Sequence, residues 1–210
     1  MSLSTRSFVA MAVAAVLAAA CATDPIPAPV LLTLPSASNA AASGGNGAAP
    51  APGAASEQPL LAVRRIAIPE YLVARRVRYR ADPSTLAEWP NTFWAERIEI
   101  GVSREFLSVL RSQLPGWNLC ENNCGDRAPT LTVQVDLVPM DYLRSAQKLQ
   151  ARARVVVSSS GSNPRVLQVQ ETSYELPASA DSAQGHAQTV AELVRRVATS
   201  TAALIRSTSR

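Results

Sequence analysis

Apolar and polar residues change rhythm several times along this chain, and each change predicts a different element. Trp94, Ile98, Val102, Phe106, Val109, Leu110 and Leu114 recur at spacings of three and four, which makes one continuous stripe on a helix. Asn91 or Thr92 is its N-cap, and Pro115-Gly116 stops it after about residue 114. Glu96, Arg97, Ser103, Arg104 and Arg111 fall largely off the stripe. A second helix spans about 181–205, with Val190, Leu193, Val194, Val197, Thr201 and Leu204 inward and Arg195, Arg196 and Arg206 outward.

Between the helices the period drops to two. Leu131, Val133, Val135 and Leu137 alternate with polar Thr132, Gln134 and Asp136. Leu149, Ala151, Ala153, Val155 and Val157 do the same against Gln150, Arg152 and Arg154. Such strands belong to a sheet with one covered and one wetter face. The Ser/Gly/Asn/Pro run at 158–164 is a turn into a further strand at 165–175, so the last two strands form a hairpin. Before the first helix, residues 60–69 read as a strand stopped by Pro69. Val77 and Tyr79 alternate with Arg76, Arg78 and Arg80, a short edge strand with one cationic face. Asp82-Pro83-Ser84 is a turn, and Trp117-Asn118-Leu119 a short strand. The order is strand, helix, several strands, helix. It predicts an α+β fold: a two-layer sandwich of one mostly antiparallel or mixed sheet covered by two amphipathic helices.

The N-terminal sixty residues follow different rules. Residues 8–20 are apolar without interruption and only Arg6 precedes them with a charge. The run is shorter than the roughly 20 residues a membrane-spanning helix needs, so it reads as a secretory signal. Leu17-Ala18-Ala19-Ala20-Cys21 resembles a bacterial lipobox, in which the cysteine is acylated and becomes the first mature residue. The bulky residue stands one position further back than usual. The plain alternative is an ordinary signal peptide with a chance cysteine. The organisation is then a signal at 1–20, a proline-rich tether at 21–29, a candidate first strand at 30–34, an Ala/Gly/Pro/Ser linker or loop at 35–59, and a folded domain at 60–206. The 35–59 segment has almost no large apolar side chain with which to offset its ordering entropy. If 30–34 joins the sheet, the tether is about eight residues with an rms reach of roughly 15 Å.

Charge and cysteines narrow the setting. The net charge is +4, and of the 20 basic residues only Lys148 is a lysine. An export signal points away from nucleic acid and towards anionic head groups or an acidic protein surface. Cys120 and Cys124 are the remaining cysteines. In an exported chain they read as a short loop-closing disulfide; two free thiols, or half of a zinc site lacking two further ligands, are the alternatives. No Gly-x-Ser-x-Gly elbow or phosphate-cradling glycine loop is present. His186, the only histidine, lies at the polar start of the second helix. Glu96, Glu99 and Glu105 read as the solvated face of the first helix, with Glu88 apart from them. The sequence reading is therefore not an enzyme, and no cofactor is expected.

One ordered set of short motifs is more specific. Ile66-Ala67-Ile68-Pro69-Glu70-Tyr71-Leu72, Val77-Arg78-Tyr79-Arg80, then Trp94-Ala95-Glu96 opening a leucine-bearing helix that ends before Pro-Gly, together resemble the ABC-type transport auxiliary lipoproteins, the family of paraquat-inducible protein C. The likeness covers roughly 60–205. In place of the family's tyrosine-rich first strand stands Leu31-Leu32-Thr33-Leu34, and the 35–59 insert and the cysteine pair depart from the pattern.

The resemblance implies a non-enzymatic, lipid-anchored periplasmic protein. It would work with mammalian-cell-entry-type (MCE) lipid-transport proteins and an ABC transporter, with ring-like homo-oligomers as one form. Tyr79, Arg80, Trp94, Glu96, Arg76 and Arg78 are the residues set to face a partner or lipid. Against this, Trp94 also fits the start of the buried stripe, Tyr79 a cross-strand packing partner, and the arginines a solvated strand edge. Ala22 after Cys21, with no aspartate, favours the outer membrane. The alternative reading is an activator or scaffold of a cell-envelope synthase.

Overall fold

In the computed structural model, residues 27–36, 58–122 and 124–208 are described. The expected signal peptide, Cys21 with most of the tether, and residues 37–57 of the linker lie outside them. The strands are β1 (Val30–Leu32), β2 (Leu60–Val63), β3 (Arg76–Arg80), β4 (Leu86–Trp94), β5 (Asn118–Glu121), β6 (Leu131–Leu143), β7 (Lys148–Ser159) and β8 (Val166–Pro177); the helices are α1 (Ile98–Gln113) and α2 (Ala183–Thr208).

All eight strands join one mixed sheet. Its body is the long antiparallel ribbon β6–β7–β8. The other side of β6 is shared: β2 pairs in parallel with its start, through Leu61 to Val63, and β3 with its end, at Arg80 and Leu143. β5 continues the sheet beyond β2, while β4 and then β1 continue it beyond β3. The expected α+β sandwich is what forms. The two helices pack against each other and over one face, and α2 also lies on β7 and β8. The alternating residues Val133, Val135, Leu137, Val155 and Val157 point into that layer and are almost completely buried. From the helices come Val102, Phe106, Leu110, Leu193, Val194 and Ile205. Each such side chain contributes roughly 1.5–3 kcal/mol of burial, which is why short-period strands and long-period helices settle face to face.

Several expectations are corrected. The first helix does not begin near residue 91. Residues 86–94 are strand β4, and helical geometry starts at Ile98 after Arg97 in extended conformation (φ −61°, ψ 127°). Trp94 and Ile98 are both buried at the spacing of one helical turn, but they belong to different elements. Pro90, which lacks an N–H, and the strand-formers Thr92, Phe93 and Trp94 favour the extended form. The cationic strand β3 is consequently not an edge, because β4 covers one side of it. Strand pairing from residue 60 ends at Val63; beyond it Ala67 makes one bridge to Asp136, and Glu70–Leu72 form a 3-10 turn. Glu99 and Glu105 are buried rather than solvated. Glu99, in the first turn where a negative charge is favoured, pairs with Arg97.

Residues 30–32 lie in register with Thr92, Phe93 and Trp94 in a parallel pair. Leu32 and Leu34 are buried in the common core. The Asn91 side-chain amide donates to the carbonyls of Pro27 and Ala28, at 2.8 and 3.0 Å, and so holds the chain just ahead of β1. Asn91 itself has φ +47°, a conformation asparagine tolerates better than most residues.

A candidate partner-facing and membrane-facing region on β3 and β4

Alternation along β3 and β4 sends their side chains to two faces with different chemistry. On the helix-covered face Val77 is buried and Tyr79 packs its ring 5.1 Å from Trp89. The aromatic contacts continue inward. Trp89 lies 6.4 Å from Tyr142, Tyr142 stacks on His186 at 4.5 Å, and Trp94 meets His186 edge-on at 6.2 Å. These are distances at which aromatic pairs add to their burial energy. His186 sits at the start of α2 because Ser182 caps that helix through the Gly185 N–H. It lies four residues before Val190 and extends the buried stripe backwards.

His186, read from the sequence as lying at the polar start of this helix, is thus turned inward. It is fully enclosed, and burial pushes its pKa down to about 3. Burial likewise raises the Tyr142 hydroxyl. Among the described residues, Trp89 Nε1, Tyr142 Oη and His186 Nδ1 have no hydrogen-bond partner.

Arg144 closes the outer end of this row. Its guanidinium lies 4.3 Å above the Trp89 ring and 5.0 Å from that of Tyr79. It donates to Tyr79 Oη at 2.9 Å and pairs with Asp181 at 3.0 Å. The Asp181 carboxylate, then the Tyr79 hydroxyl, hold the guanidinium in its charged form. Two aromatic faces, a phenol and a carboxylate suit the planar geometry of arginine.

On the opposite face the arginines are also engaged. Arg80 pairs with Asp141 at 3.0 Å, and Tyr71 donates to the same carboxylate oxygen at 2.9 Å. Arg76 and Arg78 share Glu88, at 3.3 and 3.2 Å. Arg78 also donates to the Tyr71 carbonyl, and Arg76 lies 5.1 Å from the Phe93 ring centre. Glu96, just ahead of α1, takes both terminal nitrogens of Arg104.

The residues singled out from the sequence therefore fall into two groups. Trp94 is a core residue with 5% exposure. Tyr79, Arg80, Arg78 and Glu96 are tied into internal pairs, and only Arg76 keeps about half its side chain in solvent. Trp89, Tyr142, Arg144, Asp141 and Asp181 complete these clusters and were not singled out from the sequence. Tyr142 was hidden because the alternation of β6 shifts register between Leu137 and Met140; Pro139 in mid-strand was the available sign of a bulge. At the other end of the sheet, Cys120 on β5 and Cys124 have Cα atoms 5.3 Å apart, within the span of a disulfide.

This geometry is a set of internally paired charges and packed aromatic rings. Among the described residues no three His, Cys, Asp or Glu side chains gather as metal ligands, and no helix is long and apolar enough to cross a membrane. The fold, by itself, recurs in solved structures of low sequence identity. An uncharacterised protein superposes with a TM-score of 0.65 at 17% identity, covering 85% of this chain and 99% of its own. Protein XCC0632 from Xanthomonas campestris gives 0.54 at 15% identity, covering 72% and 86%. These define a class of α+β sandwiches.

The sequence model of the ABC-type transport auxiliary lipoprotein component matches residues 45–202, and the chain belongs to that family. The family is one of transport components and not of enzymes. The chain is also similar to the intermembrane transport lipoprotein PqiC of Escherichia coli K12 and of Shigella flexneri, 29% identical to each over 76 residues. The aligned part is 36% of this chain and 41% of PqiC.

Proposed function

We propose that this protein is a lipid-anchored periplasmic accessory component of an intermembrane lipid-transport system. It is attached by acyl chains on Cys21 to the outer membrane, beside an MCE-type lipid-transport protein and the ABC transporter that drives it. The observation that carries this reading is the coincidence of a lipobox cysteine with a transport-auxiliary domain spanning 45–202. The relation to a protein named for intermembrane transport supports it. The domain's role is to present a stiff surface, since the arginine and aromatic clusters of β3, β4 and β6 are locked by internal pairs. We place a disulfide between Cys120 and Cys124, which clamps the β5 edge locally. A five-residue ring constrains the unfolded chain little.

Pulse-labelled phospholipid, followed from inner- to outer-membrane fractions, tests the role. Cells lacking the protein are expected to transfer label more slowly, and wild-type protein to restore the rate. Cys21→Ser, which cannot be acylated, is expected to lose an alkyne–palmitate label and to leave transfer slow. Unchanged transfer in cells lacking the protein, or full restoration by Cys21→Ser, contradicts the proposal.

A further inference from the structure

The sheet ends at β1, a strand of three residues whose outer edge carries apolar side chains. Val30 is 42% exposed and Leu31 58%. Edge strands are usually blunted with charge, and this one is not. Leu31 shares a register row with Phe93 of β4, and Phe93 in turn with Arg76 of β3. All three side chains lie on the face away from the helices. Arg75 is exposed next to Arg76, and no carboxylate partner for it exists among the described residues. Arg76 and Arg78 share the single carboxylate of Glu88, so the facet is apolar at its rim and cationic behind.

The chain leading to Cys21 leaves from this same edge. Asn91 fixes the carbonyls of Pro27 and Ala28. From Pro27 back to Cys21 is six residues, a reach of at most about 20 Å even when fully extended. On the reading that Cys21 is acylated, the bilayer surface cannot lie far from β1. Arginine beside exposed apolar side chains suits that boundary, because its stem lies along apolar matter while its head meets phosphate.

We infer that the β1 edge rests on the leaflet that holds the anchor. Val30 and Leu31 enter the interface, and Arg75 and Arg76 meet the phosphates of anionic phospholipids. The inference depends on the lipoprotein reading proposed above and adds to it the orientation of the domain. The second exposed apolar cluster, Val166, Leu167 and Val169 on β8, belongs to the strand at the opposite edge of the sheet. It stays in water and serves as an internal control.

The test uses the full acylated chain in phosphatidylethanolamine–phosphatidylglycerol vesicles containing lipids brominated along the acyl chain. Leu31→Trp and Val30→Trp are compared with Leu167→Trp, with the emission of native Trp89, Trp94 and Trp117 subtracted. Two positions are used on β1 so that loss of folding in one variant leaves the other. The added tryptophan at 30 or 31 is expected to be blue-shifted and quenched at least twofold more than that at 167. Arg75→Glu, or 0.5 M salt, is expected to weaken the quenching. Equal quenching at 31, 30 and 167 in protein whose mass includes the acyl chains overturns the inference and leaves the anchor intact. Protein that carries no acyl chain overturns both.

Discussion

Trp94→Ala is expected to lower the stability of the domain by about 3–5 kcal/mol, the range for removing a large aromatic side chain from a packed core. Trp94 is 5% exposed. It lies beside Leu32 of β1 in the sheet register and contacts His186 of α2 edge-on. One side chain thus joins the first strand, the fourth strand and the second helix. Stabilities of domains this size are roughly 5–15 kcal/mol, so the loss is a large fraction of the total. Urea unfolding of the detergent-solubilised chain is expected to show a midpoint lowered by more than about 1 M, given slopes of about 1–3 kcal/mol per molar. Trp94→Phe keeps most of the buried area and is expected to retain most of the stability. If Trp94→Ala unfolds at the wild-type midpoint, Trp94 is not part of the core. A Trp94→Phe protein that is stable but no longer held by its partner would return Trp94 to the partner-facing residues.

The second large effect is acid sensitivity centred on His186. Its folded pKa is about 3 against an ordinary 6.5, and the cause is burial between Tyr142 and Trp94. The native state holds the imidazole neutral, while the unfolded chain takes up a proton below about pH 6.5. The stability tied to the neutral ring is therefore complete above that value. It is lost as pH falls from 6.5 towards 3, at about 1.4 kcal/mol per unit. At pH 5 the deficit is about 2 kcal/mol relative to pH 7.5. His186→Phe preserves an aromatic ring without the titrating nitrogen. Its stability difference between pH 7.5 and pH 5 is expected to be smaller than that of wild type by about this amount. Equal acid losses in the two proteins would show that the ring titrates near its ordinary value.

Both effects arise where the sequence was hardest to read. The helical stripes of α1 and α2 and the alternation of β6, β7 and β8 were legible because each is a local period matched to one buried face. β4 was not, because Trp94 and Ile98 keep a helical spacing across the boundary between a strand and a helix. Once β4 is missed, β3 looks like an edge and its arginines look free. Their true partners are distant in sequence: Arg80 is 61 residues from Asp141, and Arg144 is 65 from Tyr79. Nothing in local pattern encodes such pairs. They follow from β3 lying beside the end of β6, which places position 80 next to 143. His186 carried a weak local sign, its spacing of four from Val190, but the polar run Ser182-Ala183-Gln184-Gly185 ahead of it suggested an exposed helix start. The ordered motifs around Pro69, Tyr79 and Trp94 identified the family correctly even though the structure uses Trp94 for packing.

Co-purification tests the central claim most directly. The acylated protein, tagged at its C-terminus and extracted from membranes in a mild detergent that keeps envelope complexes together, is expected to bring down an MCE-domain protein with ABC permease and ATPase subunits, identified by mass spectrometry. Recovery of the tagged protein with a penicillin-binding protein and no MCE-domain protein, or with neither, would contradict the account.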